Sequence, residues 1–589
     1  MPHDYGKPVT RARATGKETT RGRAAALVLV LFAVLLLFSL LSGNAPIKDV
    51  RDAFAWRHCP DLDPKHFRCG RLRVPLDHLQ ATNATLRTIN IAVVKYMTHP
   101  NKPPKQGTII VNPGGPGGSG KEFAIQASKL ISFLSGGEYD ILGFDPRGIA
   151  DSNSVKCFEN PSLHAAAEMN QLSPPNALGS TTLVSKFASH QELMAKSCGK
   201  WSADLLPYIS TAYTARDIDL IREALKEPLT NYWGFSYGTF LGITYANMFP
   251  DRVGRVIIDG VTDPDTFAGN YLDWSLSSLV DAQKVVDGLS RLCFEAGPSQ
   301  CRLSQDGDNE LSVKDRIEAY FKSLAENPLI LVDAAVPQVF EATDAISVLF
   351  QATYSPKSWK TVADAFASAI YDGNATSLAN LQKQKLDEKD ACPFKDNSGM
   401  FGFPSVKCND GFGDATNSLD EWEEIALETE EIGPYFGTQW AWMGLVCKYW
   451  PSKAVERFAG PWNHTTKNKV LLIGNTFDPV TPLKSAKLAE SLMGGNGRLL
   501  THNAYGHCSL GQFGACTMGY VREFFTTGSY PAAGTVCNLT KEEENPFLQQ
   551  TILSAAGIKR LDQASKWNLD DLAQELEAVQ AFLAHTNFR

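Results

Sequence analysis

The stretch NYWGFSYGTFLGITYANM, residues 231–248, changes rhythm in its middle. Residues 231–235 form a short apolar run of strand type, and from Thr239 onward the pattern becomes helical. Between the two stands Gly234-x-Ser236-x-Gly238. A serine on a sharp strand-to-helix turn, with glycines beside it where a Cβ would crowd the backbone, is a nucleophile elbow. This reading predicts an α/β sheet with Ser236 on the strained turn between a strand and the following helix.

The flanking chain agrees. Apolar runs at residues 88–96, 108–111, 139–144, 231–235, 255–259, 469–473 and 498–501 read as strands. Helical patterns at 121–134, 215–225, 239–248 and 483–492 lie between several of them. The alternation stops near Thr262 and resumes near Lys469. A crossover needs no more than roughly a few tens of residues, so the excess reads as an inserted, mainly helical domain. Its helical stretches are 276–292, 313–324 and 359–369, followed by a Gly/Pro/Asn-rich section at 393–414. Residues 569–583 have helical spacing and are expected to pack on the sheet.

A serine hydroxyl needs a base to take its proton, and the base needs a carboxylate to orient it. In such sheets the acid and then the histidine follow the serine on loops after later strands. Three histidines lie well beyond the insertion: His502, His507 and His585. His507, in AYGHCS, sits in a loop behind a glycine that lets the backbone turn. His502 ends a strand, where a packed or hydrogen-bonded histidine is expected, and His585 is near the C-terminus. The acid is read from VLLIGNTFDPVTP, where Asp478 stands five residues past Ile473 in a loop stiffened by Pro479 and Pro482. The rival role for Asp478 is helix capping, worth about 1 kcal/mol, which Thr476 or Thr481 can also perform.

A second stretch, TIIVNPGGPGGSGKE at residues 108–122, comes one residue short of a phosphate-binding P-loop. Glu122 stands where a P-loop has the serine or threonine that holds magnesium, and Pro113 and Pro116 remove two N–H donors. The run DILGFD, ending at Asp145, mimics a metal-holding strand, but the loop is better read as backbone brought against a developing oxyanion. One donor is assigned to the N–H of Gly115 in this loop and the other to Tyr237, the residue after the serine.

The net charge of −8, with basic residues concentrated only at the N-terminus, excludes nucleic acid as an expected partner. Residues 1–23 form a basic leader, and residues 24–41 are an 18-residue run whose one polar member is Ser39. That length suits a signal anchor, assigned to 24–42, with a cleaved signal as the alternative. The catalytic part is then lumenal or extracellular, or secreted if the segment is removed. Sequons at Asn83, Asn374, Asn463 and Asn538, and twelve cysteines without a CxxC pair, fit export, glycosylation and disulfides rather than zinc. Close pairs such as Cys59/Cys69, Cys293/Cys301 and Cys392/Cys408 suggest local staples, although spacing does not fix connectivity.

Taken in order, NPGGPGGSG, GFDPRG, WGFSYGT, YANMFPDRVGRVIIDGV and NTFDPVTP…GHCS resemble the prolyl and tripeptidyl aminopeptidase branch of the α/β-hydrolases, most closely its secreted tripeptidyl-aminopeptidase-like members. The resemblance implies an α/β-hydrolase fold, a mostly parallel sheet with helices on both faces, bearing a large helical cap. The core would comprise residues 54–262 and 446–540, the cap 263–445, and a C-terminal helical extension 541–589. It implies Ser236 as nucleophile, Asp478 as acid, His507 as base, and the oxyanion hole on Gly115 and Tyr237. Asp145 and Arg147 would be structural supports. The expected activity is a serine aminopeptidase acting on short peptides through an acyl-enzyme, without metal, cofactor or nucleotide. A carboxylesterase with the same triad and a non-catalytic ectodomain are the alternatives. The acidic cluster at 420–424 is read as a solvated helix face.

Overall fold

The computed structural model describes residues 53–80, 87–168, 181–382, 401–548 and 568–585. Its strands are β1 (Phe67–Pro75), β2 (Thr88–Tyr96), β3 (Thr108–Asn112), β4 (Asp140–Phe144), β5 (Thr230–Phe235), β6 (Val253–Asp259), β7 (Leu329–Leu331), β8 (Gln338–Phe340), β9 (Val470–Phe477), β10 (Gly497–Tyr505) and β11 (Val536–Asn538). Nine of them form one sheet in the order β1-β2-β4-β3-β5-β6-β9-β10-β11, while β7 and β8 pair as a separate hairpin. Pairing is antiparallel for β1/β2 and β2/β4 and parallel from β4 through to β11.

The parallel centre follows from residue type. Every residue of β3, β4 and β5 is buried, as expected of short apolar strands covered on both faces by helices. The sequence reading overlooks β1 because its exposed and half-exposed positions carry Arg68, Arg71 and Arg73, the polar side of an edge strand. It also overlooks β11, which has only three residues. Strand β9 runs on to Phe477, so Asp478 leaves the strand end directly instead of lying deep in a loop.

Helix Gly120–Leu134 starts at Ser119, whose side chain accepts the Glu122 N–H. The C-terminal helix Leu569–His585 packs on that helix, through Leu572, Leu576, Val579 and the Phe123–Phe582 ring contact, one layer further out than the sheet. Its Gln580 Nε2 donates to the Leu510 carbonyl at 2.8 Å, beside the His507 loop.

Between β6 and β9 the chain leaves the sheet for a mainly helical region. The continuous helix expected at 276–292 is two, Tyr271–Ser278 and Ala282–Ala296, and the Gly/Pro/Asn-rich section contains the helix Gly402–Asp410. The acidic cluster opens the helix Leu419–Ile432, with Ser418 and Glu421 as a capping box, Trp422 buried and the acids exposed. Disulfides join Cys59–Cys69, Cys157–Cys198, Cys293–Cys301, Cys408–Cys447 and Cys516–Cys537. Cys408 therefore pairs with Cys447 and not with Cys392, which lies outside the described residues. Such bonds mark an extracellular or secreted protein. Asn374, Asn463 and Asn538 are exposed, whereas Asn83 and the apolar run at 24–42 lie outside the described residues. Among the described residues no helix is long and apolar enough to cross a membrane.

Candidate active site

Ser236 joins β5 to the helix Tyr237–Met248 with φ 55° and ψ −125°, a left-handed conformation that a side-chain-bearing residue holds only under constraint. The constraint is visible in its backbone bonds. Ser236 N–H donates to the Asp259 carbonyl at the end of β6 at 3.0 Å, and its own carbonyl accepts Thr239 N–H at 2.8 Å. A Cβ on Gly234 would stand 2.3 Å from the Gly238 carbonyl oxygen, so the elbow closes only with glycine there.

The loop after β3 lies against this turn. Gly114 has φ +96°, and a Cβ on it would meet the Phe235 carbonyl at 2.5 Å and the Ser236 Cβ at 2.7 Å. Its N–H is taken by Asn112 Oδ1 at 3.0 Å. Gly115, Ser236 and Tyr237 line one cavity with Thr481, and its other walls include Phe267, Trp274, Tyr354 and Trp440. Tyr237 begins a helix, where backbone N–H groups lack helical acceptors and the dipole favours negative charge.

His507 stands in the loop after β10, almost fully buried. Its Nδ1 lies 3.0 Å from both oxygens of Asp478 and 3.2 Å from Thr481 Oγ1. Its Nε2 is buried and has no hydrogen-bond partner among the described residues. Its backbone N–H donates to the Tyr354 carbonyl at 2.9 Å, and the Tyr354 ring meets the imidazole edge-on at 5.1 Å. Asp478 does make turn bonds, accepting Val480 and Thr481 N–H at 3.0 and 2.8 Å, yet it holds the imidazole as well. Neither threonine weighed as a cap performs that task, because Pro482 precedes the helix Leu483–Leu492 without a side-chain cap.

A family model described as TAP-like protein matches residues 433–537, the segment that carries Asp478 and His507. A tripeptidyl aminopeptidase of Streptomyces coelicolor is 26% identical over 84% of this chain and 87% of its own. Serine protease Hip1 of Mycobacterium tuberculosis is 27% identical over 87% of this chain and 96% of its own. The chain is a serine hydrolase of the α/β-hydrolase fold whose residues 433–537 are TAP-like. Carboxylesterase B of Mycobacterium tuberculosis is another relative of this hydrolase, 26% identical over 82% of the chain and 89% of its own. A solved α/β-hydrolase from a deep-sea metagenome library aligns over 75% of the hydrolase and 96% of its own chain, at 12% identity and a TM-score of 0.31, too low to add to what the sheet order shows.

The remaining residues singled out from sequence fall into supporting places in the hydrolase. His502 lies within β10, fully buried, with Nδ1 2.7 Å from Thr517 Oγ1 and Nε2 2.7 Å from the Gln512 carbonyl. Burial lowers its pKa to about 4, so it stays neutral and bonded. His585 ends the C-terminal helix. Lys121 is held by Asp151, with Asp145 at 3.8 Å, so two carboxylates occupy the would-be phosphate lysine. Asp145 accepts Ser119 Oγ–H at 2.5 Å and fixes the start of that helix. Arg147 forks onto Asp217 with two 2.7 Å bonds and donates to the Leu76, Tyr208 and Pro75 carbonyls. Sequence reasoning missed the cavity walls Phe267, Trp274, Tyr354 and Trp440, because aromatic residues in helices look like ordinary core.

Proposed function

We propose that this hydrolase is an exported serine aminopeptidase that releases short peptides from free N-termini. The observation that carries the proposal is the buried His507, with Nδ1 on Asp478 and an unpartnered Nε2, in the loop beside a serine elbow. A carboxylate on Nδ1 places the imidazole proton there, which leaves Nε2 as the basic atom. In the proposed reaction His507 Nε2 takes the proton of Ser236 as Oγ attacks the scissile carbonyl, and Asp478 stabilises the imidazolium. The oxyanion is received by the N–H groups of Gly115 and Tyr237, donors of a kind worth about 3 kcal/mol each. His507 then gives its proton to the leaving amine, and water repeats the cycle on the acyl-enzyme.

The peptide reading draws on the tripeptidyl aminopeptidase and serine protease among the relatives. We assign residues 54–262 and 446–540 to the core and 263–445 to the cap, with 24–42 as a single-pass anchor that leaves the enzyme lumenal or extracellular. Extraction of the expressed chain from membranes by alkaline carbonate would contradict the anchor. Loss of mobility shift on glycosidase treatment after Asn83, Asn374, Asn463 and Asn538 are replaced is the expected sign of glycan attachment.

A second reading, a carboxylesterase, is favoured by the aromatic cavity walls, Phe267, Trp274, Tyr354 and Trp440, and by the esterase among the relatives. A fluorophosphonate probe should label the wild type and not Ser236→Ala; equal labelling of both removes the serine mechanism. Tripeptide anilides with free N-termini should be cleaved faster than acetylated ones. Turnover of p-nitrophenyl esters with no anilide cleavage would decide for the esterase.

A further inference from the structure

A second buried carboxylate stands beside the proposed triad. Asp259 ends β6, and its side chain and main chain act on different halves of the site. Its carbonyl accepts the Ser236 N–H at 3.0 Å and the Cys508 thiol at 3.3 Å. Its carboxylate accepts Ser509 N–H at 2.8 Å and Ser509 Oγ–H at 2.5 Å. Asp478 meanwhile accepts the Cys508 N–H at 2.9 Å. Two acids from neighbouring strands thus take consecutive amides of the segment that follows His507. Between those amides Cys508 holds φ 59°, a left-handed conformation that persists in a residue with a Cβ only when its surroundings enforce it.

We propose that Asp259 is a positioning residue for the hydrolysis, holding the His507 loop against the Ser236 turn so that the imidazole stays aimed at the serine. The proposal rests on the assignment of Ser236 and His507 made above. Asp478 orients the ring through Nδ1, and Asp259 fixes the backbone that carries the ring. The strand order makes this division natural, since β6 lies between β5, which delivers the serine, and β9, which delivers Asp478. The ionisable groups facing the Asp259 carboxylate are Asp478 and the Cys508 thiol, and no cation pairs with it among the described residues. Its bonds to Ser509, with the Trp233 indole as a further hydrogen-bonding neighbour, are therefore what keeps it in place. Burial raises its pKa to about 6, against the opposing effect of Ser509.

The test compares Asp259→Ala, Asp259→Asn and Ser509→Ala by fluorophosphonate labelling rate, by kcat and KM on a tripeptide anilide or p-nitrophenyl ester, and by thermal melting. Asp259→Ala should lower kcat and labelling rate together by roughly 10- to 100-fold with KM within about twofold, as expected when reacting groups lose alignment. Asp259→Asn keeps one oxygen for the Ser509 amide and should retain most of kcat. Ser509→Ala should fall between the two.

Wild-type kcat in folded Asp259→Ala, or a loss confined to KM, overturns the proposal. If Asp259→Ala does not fold, wild-type kcat and wild-type labelling rate in Ser509→Ala overturn it. Failure of the underlying assignment looks different: the wild type is then not labelled, or Ser236→Ala is labelled equally.

Discussion

Around Arg147 and around His507 the molecule buries charge in two opposite ways. Arg147 is fully buried and its guanidinium is saturated by Asp217, His78 and the carbonyls of Leu76, Tyr208 and Pro75, with the Tyr213 ring 4.9 Å away. Nothing in that cluster is left over for a ligand. His507 is as deeply buried, yet Nδ1 has a carboxylate while Nε2 has no partner among the described residues. A closed cluster returns its desolvation cost as rigidity, whereas an open one keeps a proton-accepting atom ready. His502 makes the same point five residues earlier, with both ring nitrogens bonded and a structural role.

The contrast is broken most directly at Asp478. Asp478→Asn should lower kcat by about 10⁴-fold, through the wrong imidazole tautomer, while the melting transition stays close to wild type; a large stability loss with little loss of kcat per folded molecule would reverse the two roles. Next in size, Arg147→Ala should cost about 3–5 kcal/mol in denaturant unfolding, because it strands Asp217 in the core, and the surviving folded fraction should keep its fluorophosphonate reactivity. Gly114→Ala should slow that labelling by about 100-fold, as its Cβ would push the glycine loop off Phe235 and Ser236.

The smallest effect is pH-dependent and has opposite signs in the two regions. Burial would raise Asp217, but Arg147 outweighs it and leaves the pKa below the ordinary value. Its stabilisation is therefore present above pH ~4 and is lost as pH falls through the lowered folded value. Asp259 is raised to about 6, so its contribution is complete below pH ~4 and is lost as pH rises through 6. Calorimetry of Asp259→Asn at pH 4 and pH 8 should show the variant gaining about 1–3 kcal/mol on the wild type at the higher pH; no relative gain would mean that Asp259 is not held in a desolvated site.

Much of the sheet was legible because its interior strands are short apolar runs between helical patterns, and Thr88–Tyr96 was read to the residue. What escaped was decided by contacts that no single local stretch displays. Phe67–Pro75 is a strand because it pairs with β2, despite the arginines on its outer side. Ser236, Asp478 and His507 could be named from local motifs, since elbow, strand-end acid and post-strand histidine each have a short signature. Asp259 could not, because the Ser509 it holds is 250 residues away and VIID alone is only the end of a strand. The break between Tyr271–Ser278 and Ala282–Ala296 was hidden because the apolar spacing continues across it.

The bond from the His507 amide to the Tyr354 carbonyl gives the inserted region a say in where the imidazole sits. Exchange of this region between relatives is then more than a change of roof. A chimera that sets its residue-354 carbonyl even slightly aside would displace the imidazole proposed as proton acceptor, so grafts must splice beyond that residue or reproduce its backbone position.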